Sequence, residues 1–260
     1  MKLSKWFGAK DRPNDVISLD PAAEVELERV EKLYGIEDPS CLRSAALMKA
    51  LMIHRTQPIY AQLTTLKRKY SMLHTDVLAV LYYLGKRTEG NALEIGPYLG
   101  GSTMATAIGL RASGRPRAFV TVEVGGEGKH PTLRSRDIVQ DLKQNLVDNG
   151  LSDFVEVVVG PVLENETAAR VFQCLPARSV GLLTIDADGE VQTVLDLYQE
   201  LLRDICWVVI DDYYAVAMAK EKAARTKLQV DAAVAKGDLE ELGFYGWGTW
   251  VGRWRRKIAA

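Results

Sequence analysis

Three stretches of this chain hold acids where an apolar run ends. Leu93-Glu94-Ile95-Gly96-Pro97-Tyr98-Leu99-Gly100-Gly101-Ser102-Thr103 places an acid on such a run and follows it with a glycine-rich turn. Glycines let a backbone approach a ligand closely, and free N–H groups at the helix start that follows receive negative charge. A charged Glu94 in an apolar strand is costly without a partner, and a ligand ammonium is one candidate. Ser102 and the helix start could hold that ligand's carboxylate. The spacing of Gly96, Gly100 and Gly101 departs from the dinucleotide fingerprint, so a pyrophosphate is the weaker reading. Glu123 closes Phe119-Val120-Thr121-Val122-Glu123, where an acid can accept both hydroxyls of a ribose. Together these features favour a nucleoside ligand.

The third stretch is double. Thr184-Ile185-Asp186-Ala187-Asp188-Gly189-Glu190 and Val209-Ile210-Asp211-Asp212-Tyr213-Tyr214 each end an apolar run in acids. Neighbouring parallel strands lie ~4.8 Å apart, so Asp186, Asp211 and Asp212 are expected to converge. A hard divalent cation such as Mg²⁺ would relieve their repulsion and leave positions for a substrate to fill. The competing reading is that these are turn and cap residues.

The elements that must position these groups follow from the hydrophobic pattern. From Pro21 to about Arg87 it is helical, with Pro21, Pro39 and Pro58 at candidate helix starts and Asp20, Asp38 and Thr75 as candidate caps. After Gly90, strand-like runs at 92–95, 118–124, 154–159, 180–185 and 207–210 alternate with helical patterns at 102–113, 134–149, 163–174 and 190–204. A long helix is expected from beyond Tyr214 to Lys236. Leu239 to Trp254, rich in aromatics and glycine, reads as a closing hairpin. The expected fold is α/β: a Rossmann-like, seven-stranded, mostly parallel sheet with a C-terminal antiparallel β-hairpin and an N-terminal helical cap. The corresponding division is a loose terminus at 1–20, a helical region at 21–89 and a ligand-binding domain at 90–260.

With these motifs in this order, residues 90–254 resemble the class I S-adenosylmethionine-dependent methyltransferases. The resemblance is to the small-molecule O-methyltransferase branch that includes catechol and macrolide-sugar enzymes. It implies that Glu94, Gly96, Tyr98, Gly100, Gly101 and Ser102 hold the methionine end of the cofactor and that Glu123 holds the ribose. Gly160, Pro161 and Val162 would line the adenine, beside Asp186. It also implies a metal at Asp186, Asp211 and Asp212, and O-methylation of a small polyhydroxylated acceptor, sugar or catechol-like.

Related enzymes usually carry a His or Lys base three residues after the first metal Asp, and here that position is Gly189. The candidates for catalytic work are then Asp186, Asp188 and His130, with Tyr213, His54 and His74 behind them. The rival readings are a metal-independent N- or carboxyl-methyltransferase of the same fold, a nicotinamide-dependent oxidoreductase, and a non-catalytic module that keeps the fold. The glycine spacing speaks against the oxidoreductase.

Composition bounds the partners. The 260 residues are 47% hydrophobic and 26% charged, with 33 Lys+Arg against 34 Asp+Glu, which excludes a disordered or collagen-like chain and gives no basic footprint for nucleic acid. Runs such as Cys206 to Ile210 fall far short of the ~20 residues that span a bilayer, and Met1 to Trp6 lacks a signal-peptide core. Cys41, Cys174 and Cys206 are odd in number and widely spaced, as reduced thiols are. The expectation is a cytoplasmic protein whose N-terminal helices form either a lid over the strand ends or a homodimer interface. Three features are discounted: Arg253 to Lys257 as the solvated end of a strand, Trp247, Trp250 and Trp254 as packing on the sheet, and Lys220 to Lys227 as an exposed helix face.

Overall fold

Short β-branched runs separated by amphipathic stretches build a layered sheet, and a computed structural model shows it for residues 19–34, 44–186, 188–214 and 220–256. Four helices come first: α1 (Pro21–Tyr34), α2 (Ser44–Arg55), α3 (Pro58–Tyr70) and α4 (Thr75–Arg87). The alternating part follows as β1 (Asn91–Ile95), α5 (Gly101–Ala112), β2 (Phe119–Glu123), β3 (Gly128–Lys129), β4 (Arg134–Ser135) and α6 (Ile138–Asp148). It continues with β5 (Val155–Val159), α7 (Asn165–Cys174), β6 (Val180–Ile185), α8 (Val191–Tyr198) and β7 (Leu202–Ile210), and closes with α9 (Lys220–Ala235), β8 (Leu239–Tyr245) and β9 (Thr249–Arg255).

Among the described residues the main sheet has seven strands in the order β5-β2-β1-β6-β7-β9-β8. The first five are parallel, and β9 inserts antiparallel between β7 and β8. The chain runs outward from β1 in both directions, so β1 and β6 flank the point where strand order reverses and where such sheets bind ligands.

Alternation along each strand sorts side chains into two cores. Ala92, Phe119, Val155, Leu182 and Val209 join α1 to α6 on one face, while Leu93, Val120, Val158, Leu183 and Val208 meet α7 to α9 on the other. The N-terminal helices thus share a core with α5 and one face of the sheet. The α4–α5 contact is backbone to backbone: a Cβ on Gly109 would collide with the Tyr82 carbonyl, and one on Gly85 would stand 2.8 Å from the Thr106 carbonyl.

Several local expectations need correction. The helix expected over 190–204 stops at Tyr198, where a turn from Leu201 N–H to the Tyr198 carbonyl leads into β7. That strand starts at Leu202 rather than 207 because its first half pairs with Val180 and with Arg255. The helix expected from 134 starts at Ile138, capped by Asp137 accepting from Gln140 N–H at 3.0 Å, and residues 134–135 form half of a small hairpin instead. His74, rather than Thr75, caps α4 by accepting from Asp76 N–H. Asp20 does cap α1, accepting from Ala22 N–H at 2.8 Å. Arg253 is no solvated strand end: it is 0% exposed and pairs with Glu240 at 2.6 Å, since β9 has a strand on either side. Trp250 and Trp254 are buried in the sheet's core, but Trp247 at the hairpin tip is exposed. Cys206 is buried and Cys174 exposed. Asp38, Pro39, Cys41 and Lys257 lie outside the described residues. Among the described residues no helix is long and apolar enough to cross a membrane.

Candidate active site

The strand ends that carry the acids lie side by side. Asp186 N–H donates to the Ile95 carbonyl at 2.8 Å, and Asp211 N–H to the Ile185 carbonyl at 3.0 Å. Gly96 N–H reaches the Val122 carbonyl and Gly160 N–H the Glu123 carbonyl, each at 3.0 Å. One continuous ladder therefore sets the turns after β5, β2, β1, β6 and β7 in a row along the C-terminal edge.

Glu94 points from β1 toward α5. Its Oε2 accepts from Thr103 Oγ1 at 2.6 Å and from Thr121 Oγ1 at 2.9 Å, Thr121 being its register partner on β2. The residue is 1% exposed, and its Oε1 has no hydrogen-bond partner among the described residues. Burial pushes this carboxyl above the usual glutamate value, against the pull of the Ser102, Thr103 and Thr121 hydroxyls. A buried carboxylate oxygen without a donor is costly, and a cationic ligand at the end of β1 would remove that cost. The turn that follows is built for close approach. Gly100 caps α5 at φ 90°, a left-handed geometry that glycine adopts freely, and a Cβ there would stand 2.7 Å from Leu142. Ser102, 7% exposed, stands in the first turn of α5.

Glu123, 6% exposed, accepts from Tyr98 N–H at 3.1 Å on Oε2 and from Gly125 N–H at 2.9 Å on Oε1. Two backbone donors fix its plane and leave lone pairs on both oxygens. Burial raises this carboxyl as well. The Tyr98 hydroxyl hydrogen-bonds the Leu133 carbonyl, and Gly128 leaves no space for a Cβ against the Tyr98 ring. Tyr98 thereby ties the small β3–β4 hairpin to the glycine-rich turn. After β5, Gly160 (φ 146°) lies against Thr167, and Val162 gives its carbonyl to the Tyr198 hydroxyl at 2.9 Å. Glu94, Gly96, Tyr98, Gly100, Gly101, Ser102, Glu123, Gly160, Pro161 and Val162 thus lie on three neighbouring turns of one edge.

Asp186, Asp211 and Asp212 converge as expected, each offering an oxygen within 4.8 Å of the others. Successive residues of a strand face opposite ways, and the left-handed backbone at Asp212 (φ 57°) breaks that alternation just past β7. Asp tolerates this conformation better than most residues. Thr249 of β9 donates to Asp211 Oδ1 at 2.5 Å. Burial and the Asp186 charge push Asp211 up to about 7, and burial raises Asp186 against the pull of Lys222.

Lys222 itself was not foreseen. Its Nζ lies 3.0 Å from Asp186 Oδ1 and 2.6 Å from Asp212 Oδ2, and the pair of carboxylates holds the ammonium well above the usual lysine value. The expected exposed face over 220–227 is therefore wrong at this residue. Lys222 stands on the inward stripe of α9 with Ala223, Thr226, Val230 and Ala233, a spacing of i, i+1, i+4, i+8 and i+11 that was present in the sequence.

The remaining candidates do not join this cluster's hydrogen bonds. Asp188 is exposed beside Asp186. The His130 ring makes its hydrogen bonds to Thr132, in its own turn. His54 is fully buried between Tyr82 and Tyr83, and His74 caps α4 against Trp247. The Tyr213 hydroxyl is taken up by Asp231 and Lys227.

Known proteins share this fold. Residues 93–213 match the family model of a methyltransferase domain. Solved structures of similar fold include the O-methyltransferase TomG from Streptomyces achromogenes in complex with SAM, which is 16% identical with TM-score 0.55 over 77% of this chain and 91% of that one. An O-methyltransferase from Bacillus cereus in complex with SAH is 17% identical with TM-score 0.51, over 89% and 91% of the two chains. The SAH-bound methyltransferase PaMTH1 from Podospora anserina is 18% identical with TM-score 0.51, over 92% and 99%. Comparison with curated proteins finds no match. Residues 93–213 thus match a methyltransferase domain, and the chain has the Rossmann-like fold that these methyltransferase structures share.

Proposed function

We propose that this chain transfers the methyl group of S-adenosylmethionine to a hydroxyl oxygen of a small polyhydroxylated acceptor, sugar or catechol-like. The observation that carries the reading is the orphaned Oε1 of Glu94, one strand from the doubly anchored Glu123 and one strand from the Asp186 cluster. Glu94 would take the methionine ammonium, Glu123 the ribose hydroxyls, and the turn at Gly160, Pro161 and Val162 the adenine. The sulfonium methyl then falls toward the ends of β6 and β7, where an acceptor oxygen would be held.

The reaction is an in-line displacement. The acceptor oxygen forms the bond to the methyl carbon, the carbon–sulfur bond gives its electron pair to sulfur, and the hydroxyl proton leaves to a base. Alignment supplies much of the rate. Asp211, with its affinity for a proton near neutral pH, is the carboxylate of this cluster suited to receive it. Asp186 and Asp212 orient the acceptor's other hydroxyls through hydrogen bonds.

The three carboxylates also suit a hard cation by donor type and spacing. Asp186, Asp211 and Asp212 would hold Mg²⁺, which would acidify the acceptor hydroxyl. One observation favours metal-independent transfer instead: the Lys222 ammonium already bridges Asp186 and Asp212. Calorimetric titration with S-adenosylmethionine, for the native chain and Glu123→Ala, tests the cofactor site, and a loss of affinity of about tenfold or more in the variant is expected. Turnover on a panel of vicinal diols, with and without chelator, then separates the two routes. Absence of any cofactor binding overturns the reading.

A further inference from the structure

We propose that the Lys222 ammonium is a tethered counter-ion of the carboxylate cluster, and that it and a divalent cation exclude one another from that position. The inference rests on the proposed function only in taking this cluster as the acceptor end of the site.

The cluster is small. Its three ligand oxygens lie within 4.8 Å of one another, and the ammonium is within hydrogen-bond distance of two of the three residues. A metal ion drawing on Asp186 and Asp212 would stand against the same Nζ, and two cations in contact at a half-buried site repel strongly. Either the ammonium withdraws or the ion stays out.

The helix that delivers the lysine is packed in place. Ala223, Thr226, Val230 and Ala233 bury the same stripe, and Thr226 Oγ1 donates to the Lys222 carbonyl at 3.0 Å. Gly189, on the turn after β6, meets that stripe directly. A Cβ there would stand 3.2 Å from the Lys222 carbonyl and 3.3 Å from both Arg225 Cβ and Thr226 Oγ1, on a backbone at φ 79° that side chains rarely adopt. Position 189 therefore disfavours any side chain, and the positive charge at the cluster comes from α9. An ammonium held by two carboxylates stays charged, so Lys222 acts as a fixed cation that can steady Asp186 and Asp212 without a metal.

The test is a Mn²⁺ titration followed by the loss of the free-ion electron paramagnetic resonance signal, on the native chain, Lys222→Met and Lys222→Gln, with no acceptor present. Both variants are expected to bind Mn²⁺ about tenfold or more tightly than the native chain, and adding Asp211→Asn to either should remove the gain. Lys222→Gln serves should Lys222→Met fail to fold. Equal or weaker binding in a folded variant overturns the inference, because the ammonium and the ion would then coexist. S-adenosylmethionine affinity measured on the same samples reports the cofactor site separately, so failure of the methyltransferase reading is distinguishable from failure of this one.

Discussion

The Thr249 hydroxyl stands 2.5 Å from Asp211 Oδ1, so the closing strand β9 fixes the acid at the end of β7, its antiparallel neighbour. The same strand end receives Tyr213 and Tyr214 N–H at the Gly248 carbonyl, at 3.1 and 3.2 Å. The C-terminal hairpin is thus part of the site's scaffold. Thr249 also lowers the proton affinity of Asp211, which burial and Asp186 raise. Thr249→Val removes one hydrogen bond, worth about 1 kcal/mol of stability, and lets Asp211 climb further above the usual aspartate value. With Asp211 as proton acceptor, the acidic limb of the kcat profile moves to higher pH in the variant. A limb that stays in place would exclude Asp211 from that role.

With Glu94 on the cofactor's ammonium, as proposed, the cofactor affinity acquires a pH dependence of known sign. Its carboxyl must be ionised to receive an ammonium, and burial holds its proton affinity above the usual glutamate value. S-adenosylmethionine affinity should therefore fall on acidification, beginning at a higher pH than an exposed glutamate would allow. Glu94→Gln should bind weakly, by about ten- to a hundredfold, as expected for losing a charge-assisted hydrogen bond of ~1.5–3 kcal/mol. Its affinity should also change little between pH 5 and 8. Calorimetry across that range checks both, and a native profile as flat as the variant's would remove Glu94 from the ammonium contact.

How much of this was legible in the sequence depends on the range of the forces involved. Glu94 and Glu123 could be read because each is an acid on or closing an apolar run beside glycines, a local pattern with a local cost. The convergence of Asp186, Asp211 and Asp212 followed from parallel neighbours sharing an edge. The strand start at Leu202 could not be read, because pairing with Val180 and Arg255 overrides a helical pattern that continues past Tyr198. Lys222 was hidden for a similar reason. Glu221 and Arg225 beside it are charged and exposed, and the inward stripe of α9 shows only when residues four, eight and eleven places on are counted with it. The burial of Arg253 depends on β9 lying between β7 and β8, an order that alternation alone does not give.

The α4–α5 contact should be intolerant of a single methyl group. A Cβ at Gly109 would overlap the Tyr82 carbonyl, and this partner is backbone that cannot rotate away. Gly109→Ala should cost about 1–3 kcal/mol through forced separation of the two helices, despite the higher helix propensity of alanine. Urea unfolding is expected to show a lower midpoint with an unchanged slope. A midpoint at or above the native one would show that the helices slide apart freely and that the N-terminal layer is less tightly joined to the sheet.

Tyr98 couples the glycine-rich turn to the hairpin of β3 and β4. Its hydroxyl reaches the Leu133 carbonyl, its ring lies on Gly128, and its own N–H is held by Glu123 at 3.1 Å. Tyr98→Phe keeps the ring, the left-handed backbone and the Glu123 contact, and deletes one hydrogen bond, a loss of about 1 kcal/mol. That loss falls on a two-residue pairing with little else to hold it, so amide exchange should quicken across 126–136 while α6 and the sheet keep their protection. S-adenosylmethionine affinity should fall by about fivefold, the equivalent of ~1 kcal/mol, because Glu123 shares the turn whose outer wall has loosened. Faster exchange spread over the whole chain would mean that Tyr98 holds the fold rather than the hairpin, and unchanged exchange would mean that the ring alone pins it.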